Sequence, residues 1–159
     1  MNSAISIVEV IQLMLAPGIM ISACGLLLLG MNNKYSLVVN RIRLLNEERR
    51  RFVAKVSERD FTYEETIRLE SISRQISALV YRVKLVRGAV FSYTVAVASF
   101  VLTSLFIGAQ YLAGWGKLDY IITILFLIGM ICVLTGVIFA AYETIKGYMI
   151  IQMEVKIDE

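Results

Sequence analysis

At 159 residues, 58% of them hydrophobic, and with a mean hydropathy of +0.71, the chain is too apolar for a small water-soluble domain. It also lacks the residue alternation of a membrane β-barrel. The sequence contains no histidine, and no phosphate-binding glycine loop, zinc-helix motif or paired-cysteine spacing replaces that chemistry. An enzyme is therefore not expected, nor a cofactor or a metal, and the net charge of +3 matters for where it lies.

Residues 1–15 mix apolar side chains with Glu9 and Gln12. They read as an interfacial amphipathic helix or as the outer end of a long, tilted first span. Pro17 either opens the straight part of that helix, where its missing N–H does no harm, or kinks it. From 10 to 31 the chain is uncharged and long enough to cross a bilayer as a helix. Ile21-Ser22-Ala23-Cys24 has the look of a lipoprotein cleavage site. Residues 1–8 carry no Lys or Arg, however, and Gly25-Leu26-Leu27-Leu28-Leu29 continues apolar, so a retained span is expected. Cys24, like Cys132 further on, reads as a small packing residue within a span.

Gln12, Ala16, Ile19, Ala23, Leu26, Gly30 and Asn33 share one face of this first span. Around a symmetry axis they would form a narrow apolar throat with an amide ring at each end. Glu9 would add a negative ring at the outer mouth, favouring cations. The alternative is a packed helix whose polar ends sit at the two interfaces.

Beyond the span the helix is expected to continue. Tyr35, Val38, Ile42, Leu45, Arg49, Phe52 and Val56 alternate spacings of three and four, an apolar heptad stripe broken only at Arg49. A second stripe runs Leu69, Ile72, Ile76, Leu79, Val83, Val86 and Val90. Ser57-Glu58-Arg59-Asp60-Phe61 reads as the turn between them, and Thr62 with Glu65 as a capping box. This pattern predicts an antiparallel helical hairpin with coiled-coil periodicity. At 1.5 Å per residue, helices of about 25 residues would project roughly 37 Å from the membrane. The stripes can bury each other or face a neighbouring subunit.

The hairpin holds most of the charge. Residues 32–88 contain 13 of the 16 Lys and Arg residues against 7 Asp and Glu, and basic residues near span ends are retained in the cytoplasm. Arg49, Arg50 and Arg51, with Lys55 and Arg59, gather towards the tip. An acidic protein could bind them, but Glu47, Glu48 and Glu58 dilute the patch. No stacking aromatics are interleaved, so a nucleic acid is not expected. Lys34, Arg82, Lys84 and Arg87 lie nearer the membrane, where anionic lipid headgroups are the simplest partners.

Uncharged runs at 89–112 and 120–142 supply the second and third spans. On the second, Ser92, Ala96, Ser99 and Thr103 form a small-residue seam pointing towards Gln110. On the third, Gly129, Cys132, Gly136, Ala140, Glu143 and Gly147 form another. Such seams let helices approach closely, either within a subunit or between subunits. Gly114-Trp115-Gly116-Lys117 connects the spans on the outer side, and the tail after Tyr142 is short and charged.

At residues 16–45 the chain resembles domain of unknown function family 2721, small uncharacterised bacterial membrane proteins. The residues that carry the likeness are Pro17, the run Ile21 to Met31, Asn33, Lys34, Tyr35, Arg41-Ile42-Arg43 and Leu45. Lys34 stands where arginine is commoner in the family, and Asn40 where an acid is expected. The resemblance implies one span, a hairpin and two spans, and it directs attention to Ser22, Gly25, Asn33, Arg41 and Arg43. It implies no mechanism.

These readings combine into an all-α membrane protein of three transmembrane helices, with a long cytoplasmic antiparallel hairpin between the first and second. Its segments are 1–33, 34–88, 89–142 and 143–159. A bacterial inner-membrane location with the N-terminus outside and the C-terminus cytoplasmic is expected. The functional expectation is a small homo-oligomeric pore lined by the first span, the alternative being a membrane-anchored scaffold whose basic hairpin recruits a cytoplasmic protein.

Overall fold

The computed structural model describes residues 7–56, 63–113 and 118–155, and among them it contains three α-helices. These are α1 (Ile7–Val56), α2 (Tyr63–Ala113) and α3 (Asp119–Val155). Each includes a stretch long and apolar enough to cross a membrane. The protein is thus all-helical, with the composition of a multi-pass membrane protein.

Helix α1 begins ten residues before Pro17, so the proline is internal and does not open the helix. Its ring removes one backbone donor. Apolar surroundings offer the other backbone groups no partners outside the helix, which favours the rest of the ladder. From Ile7 the N-terminal segment and the first uncharged run are a single helix. Helix α3 likewise continues past Tyr142 to Val155. The expected turn at Ser57–Phe61, the cap residue Thr62, the connection Gly114–Lys117 and Lys156 lie outside the described residues.

The helices contribute to two compact units. The first comprises Met1–Met31 and Gly88–Ile138. Cys24, Ala96 and Phe100 form its core, with Met20, Ile21, Val97, Phe126, Cys132 and Val133 packed around them. Phe100 meets Phe126 with ring centroids 5.4 Å apart and a tilt of 57°, an arrangement aromatic pairs favour. Gly129 and Gly136 make room for two rings of α2. A Cβ on Gly129 would lie 2.7 Å from Phe100 Cε1, and one on Gly136 would lie 2.5 Å from Tyr93 Cε1. The two rungs are seven residues apart on both helices and run in opposite directions along the chain. Helix association in lipid rests on such close packing, since apolar burial alone drives little there.

The expected seam on α2 is part of the same packing. Ala96, Ser99 and Thr103 are buried and Ser92 is half-buried. Ser99 Oγ donates to the Val95 carbonyl at 3.0 Å and Thr103 Oγ1 to the Ser99 carbonyl at 2.8 Å, so each hydroxyl is satisfied by its own helix. Gln110 Nε2 donates to Asp119 Oδ1 at 2.7 Å.

The second unit comprises Asn32–Arg87 and Phe139–Glu159. Val38 and Leu45 of α1 and Ile72 and Leu79 of α2 form its core, with Ile42, Phe52, Ile76 and Val83 around them. These are members of the two heptad stripes, and they bury each other within one chain. Tyr35 and Arg49 are exposed. Ion pairs give the direction of the two segments. Arg68 pairs with Glu48 at 2.9 Å, and fourteen residues along each helix Arg82 and Lys34 reach a common partner. The segments are therefore antiparallel, with rungs about 21 Å apart at 1.5 Å per residue.

Gly136→Ala should place a methyl group against the fully buried Tyr93 and lower stability by about 1–3 kcal/mol. Gly25→Ala, which meets nothing within 4 Å inside α1, should be neutral or stabilising by up to about 1 kcal/mol. Thermal unfolding of both variants in one detergent measures the difference. Equal midpoints would contradict the close Gly136–Tyr93 packing.

Candidate functional site

Gly129, Gly136 and Glu143 recur every seven residues along α3, so the glutamate shares the face on which the glycines are buried. Glu143 is itself buried, with a side chain 1% exposed. A carboxylate removed from water is costly unless paired, and here both of its oxygens are occupied. Arg82 of α2 approaches Oε1 with Nη2 at 2.7 Å and Nε at 3.2 Å. Lys34 of α1 donates from Nζ to Oε2 at 3.0 Å. One carboxylate thereby engages a cation from each of the other two helices.

The surroundings hold the cations in place. Lys34 Nζ also donates to Thr144 Oγ1 at 3.1 Å, while that hydroxyl donates to the Ala140 carbonyl at 3.0 Å. The Arg82 guanidinium lies against Gly147, where an added Cβ would stand 2.9 Å from Nη2. The two pairs are not equivalent. Arg82 is 22% exposed and Lys34 45% exposed, so solvent screens the lysine far more. The cluster carries two positive charges against one negative.

All three members lie near the ends of the uncharged runs: Lys34 three residues after Met31, Arg82 seven before Ala89, and Glu143 directly after Tyr142. The sequence placed Lys34 and Arg82 near the membrane, with lipid headgroups as their simplest partners, and counted Glu143 with the small-residue seam and the tail; it did not pair the three. The signal for their pairing was an acid in phase with two glycines on a packing face, which demands a cation from a neighbouring helix. Phe100 and Tyr93, which fill the space above those glycines, had no comparable signal.

The other sequence-derived candidates are distributed differently. Glu9, Gln12, Ala16, Ile19, Ala23, Leu26, Gly30 and Asn33 are all exposed on α1. So are Ser22 and Gly25, and Ser22 Oγ donates to the Gly18 carbonyl of its own helix at 3.3 Å. Gly129 and Gly136 are buried and Ala140 half-buried. Arg41, Arg43, Arg49, Arg50, Arg51 and Arg87 are exposed. Arg51 pairs with Glu47 at 2.7 Å on its own helix. Among the described residues no group of His, Cys, Asp and Glu side chains is arranged to hold a metal ion.

The family profile described as "Protein of unknown function (DUF2721)" matches residues 14–153, most of the chain. The protein belongs to this family. No match was found among curated proteins or solved structures. The DUF2721 region contains Lys34, Arg82 and Glu143 together with both glycine–aromatic rungs, so the charge cluster lies within the part of the chain that defines membership.

Substitutions should rank the cluster by burial. Arg82→Ala leaves the buried Glu143 carboxylate with only the half-exposed Lys34 as partner and should cost on the order of 3 kcal/mol. Lys34→Gln removes a half-exposed partner and should cost below about 1 kcal/mol. Unfolding in detergent by added denaturing surfactant tests this order, and a loss at Lys34 equal to that at Arg82 would contradict it.

Proposed function

We propose that the protein is a non-enzymatic, homo-oligomeric membrane protein whose first span lines an ion-conducting pore. The observation that carries this reading is the uncovered face of α1. Pro17, Cys24 and Met31 are buried at intervals of seven residues, and Cys24 packs with Ala96 and Phe100 of α2. At 100° per residue, the face bearing Gln12, Ala16, Ile19, Ala23, Leu26 and Gly30 points roughly 120° away from that buried line. Neither α2 nor α3 of the same chain covers it, and its small and apolar middle lies between polar ends. A single chain of three spans has too little material for a two-repeat transporter, so a symmetry axis between subunits is the economical place for a pathway.

The charge of residues 32–88 supports a cytoplasmic position for this segment, with the N-terminus outside and the C-terminus inside a bacterial inner membrane. A second reading makes the segment a docking surface for a cytoplasmic protein, and exposed Arg41, Arg43, Arg49 and Arg50 favour it. Arg51 and Arg68 are paired with Glu47 and Glu48, which lowers the local positive field and favours the pore reading.

Single cysteines at Ala16, Ile19 and Ala23, in a protein with Cys24 and Cys132 replaced, should react with a water-soluble thiol reagent in proteoliposomes. They should react faster than a cysteine at Leu134, which is exposed on α3. Glu9→Lys should lower cation over anion selectivity in planar-bilayer recordings. Protection of Ile19 and Ala23 together with electrically silent bilayers would exclude the pore. Capture of one cytoplasmic protein, lost on reversal of Arg49 and Arg50, would then favour the docking surface.

A further inference from the structure

We propose that Lys34 and Arg82 form a binding site for the phosphate of an anionic phospholipid, with Glu143 as the residue that positions both cations. A groove of about 330 Å³ is lined by the cluster, Lys34, Arg82 and Glu143, together with Leu37, Val38, Thr144 and Gly147. Donor capacity remains after the internal bonds are made. Arginine has five N–H groups and Arg82 gives two to Glu143; lysine has three and Lys34 gives two, to Glu143 and Thr144. The remaining N–H groups belong to the two cations that line the groove. The net charge of the cluster is positive, so an anion there meets attraction that the single carboxylate does not cancel.

The glutamate also selects geometry. By holding Arg82 Nε and Nη2 on one side, it leaves the other edge of the guanidinium for a ligand, and planar forks of this kind suit phosphate oxygens. Gly147 leaves room for that placement, since an added Cβ would stand 2.9 Å from Nη2 and the guanidinium would have to shift.

Phosphate could be presented by a lipid or by a soluble anion, and two features select the lipid. Leu37 and Val38 give the groove apolar walls that suit the glycerol and upper acyl region and offer nothing to inorganic phosphate. Its cations also adjoin the ends of the uncharged runs, the level at which headgroups meet a membrane-spanning helix. The site requires only insertion in a bilayer, and stands whether or not α1 lines a pore.

The test uses the full-length protein in nanodiscs of equal phosphatidylglycerol and phosphatidylcholine, followed by native mass spectrometry of the lipids retained. Wild type should retain phosphatidylglycerol in preference. Lys34→Gln should reduce that preference by about fivefold, the contribution of one basic residue near an anionic surface, and Lys34→Arg should restore it. Arg43→Gln is the control for diffuse charge. Arg43 lies nine residues further along α1, about 13 Å, and so beyond the roughly 8–10 Å screening length. It should leave the preference unchanged. Equal retention of the two lipids by wild type would overturn the proposal, as would an equal loss in Arg43→Gln. Displacement of phosphatidylglycerol by millimolar inorganic phosphate would assign the site to a soluble anion instead and also overturn it.

Discussion

A buried carboxylate gripped by two cations is the interaction on which the second unit depends. Glu143 comes directly after an uncharged run on α3, on the face that the glycines of that helix turn inward. Left alone there, the charge would be costly to desolvate, so the arrangement must deliver cations from other helices. Arg82 and Lys34 arrive from α2 and α1, and a single side chain thereby fixes three helices against one another. Apolar surfaces have no register preference of comparable sharpness. The Val38, Leu45, Ile72 and Leu79 core could slide by a heptad with modest loss, whereas a shift of Arg82 by seven residues would leave the buried Glu143 with the half-exposed Lys34 alone.

Packing in the first unit is settled by shape. Glycines on α3 face aromatic rings on α2, and the aromatic pair Phe100–Phe126 continues the contact. Because lipid tails are as apolar as the side chains, intimate fit and satisfied hydroxyls are what distinguish the assembled helices from separated ones. The two units thus rely on different forces, dispersion in one and a desolvated ion cluster joined to a heptad core in the other.

Most of the fold could be read from periodicity, because the period of the apolar pattern and the period of the helix are physically coupled. Val38, Leu45, Ile72 and Leu79 followed from heptad spacing, and Ala96, Ser99, Thr103, Gly129 and Gly136 from the small-residue seams. The charge cluster could not be read in this way. Its members are separated by 61 and 109 residues, and no local pattern specifies which of several cations near the membrane will meet a given acid. For Pro17 the sequence left two places open, and the internal one holds: an apolar helix carries a proline internally, because its surroundings offer the other backbone groups no partner outside the helix.

The central claim is that Glu143 and Arg82 stabilise the protein through each other rather than separately. A double-mutant cycle measures this most directly, with Glu143→Gln, Arg82→Gln and the double variant unfolded under identical detergent conditions. The account predicts that the double variant is less destabilised than the sum of the single ones, by about 1–3 kcal/mol, the range found for residues in one ion-pair network. Additive effects, with a coupling near zero, would contradict it.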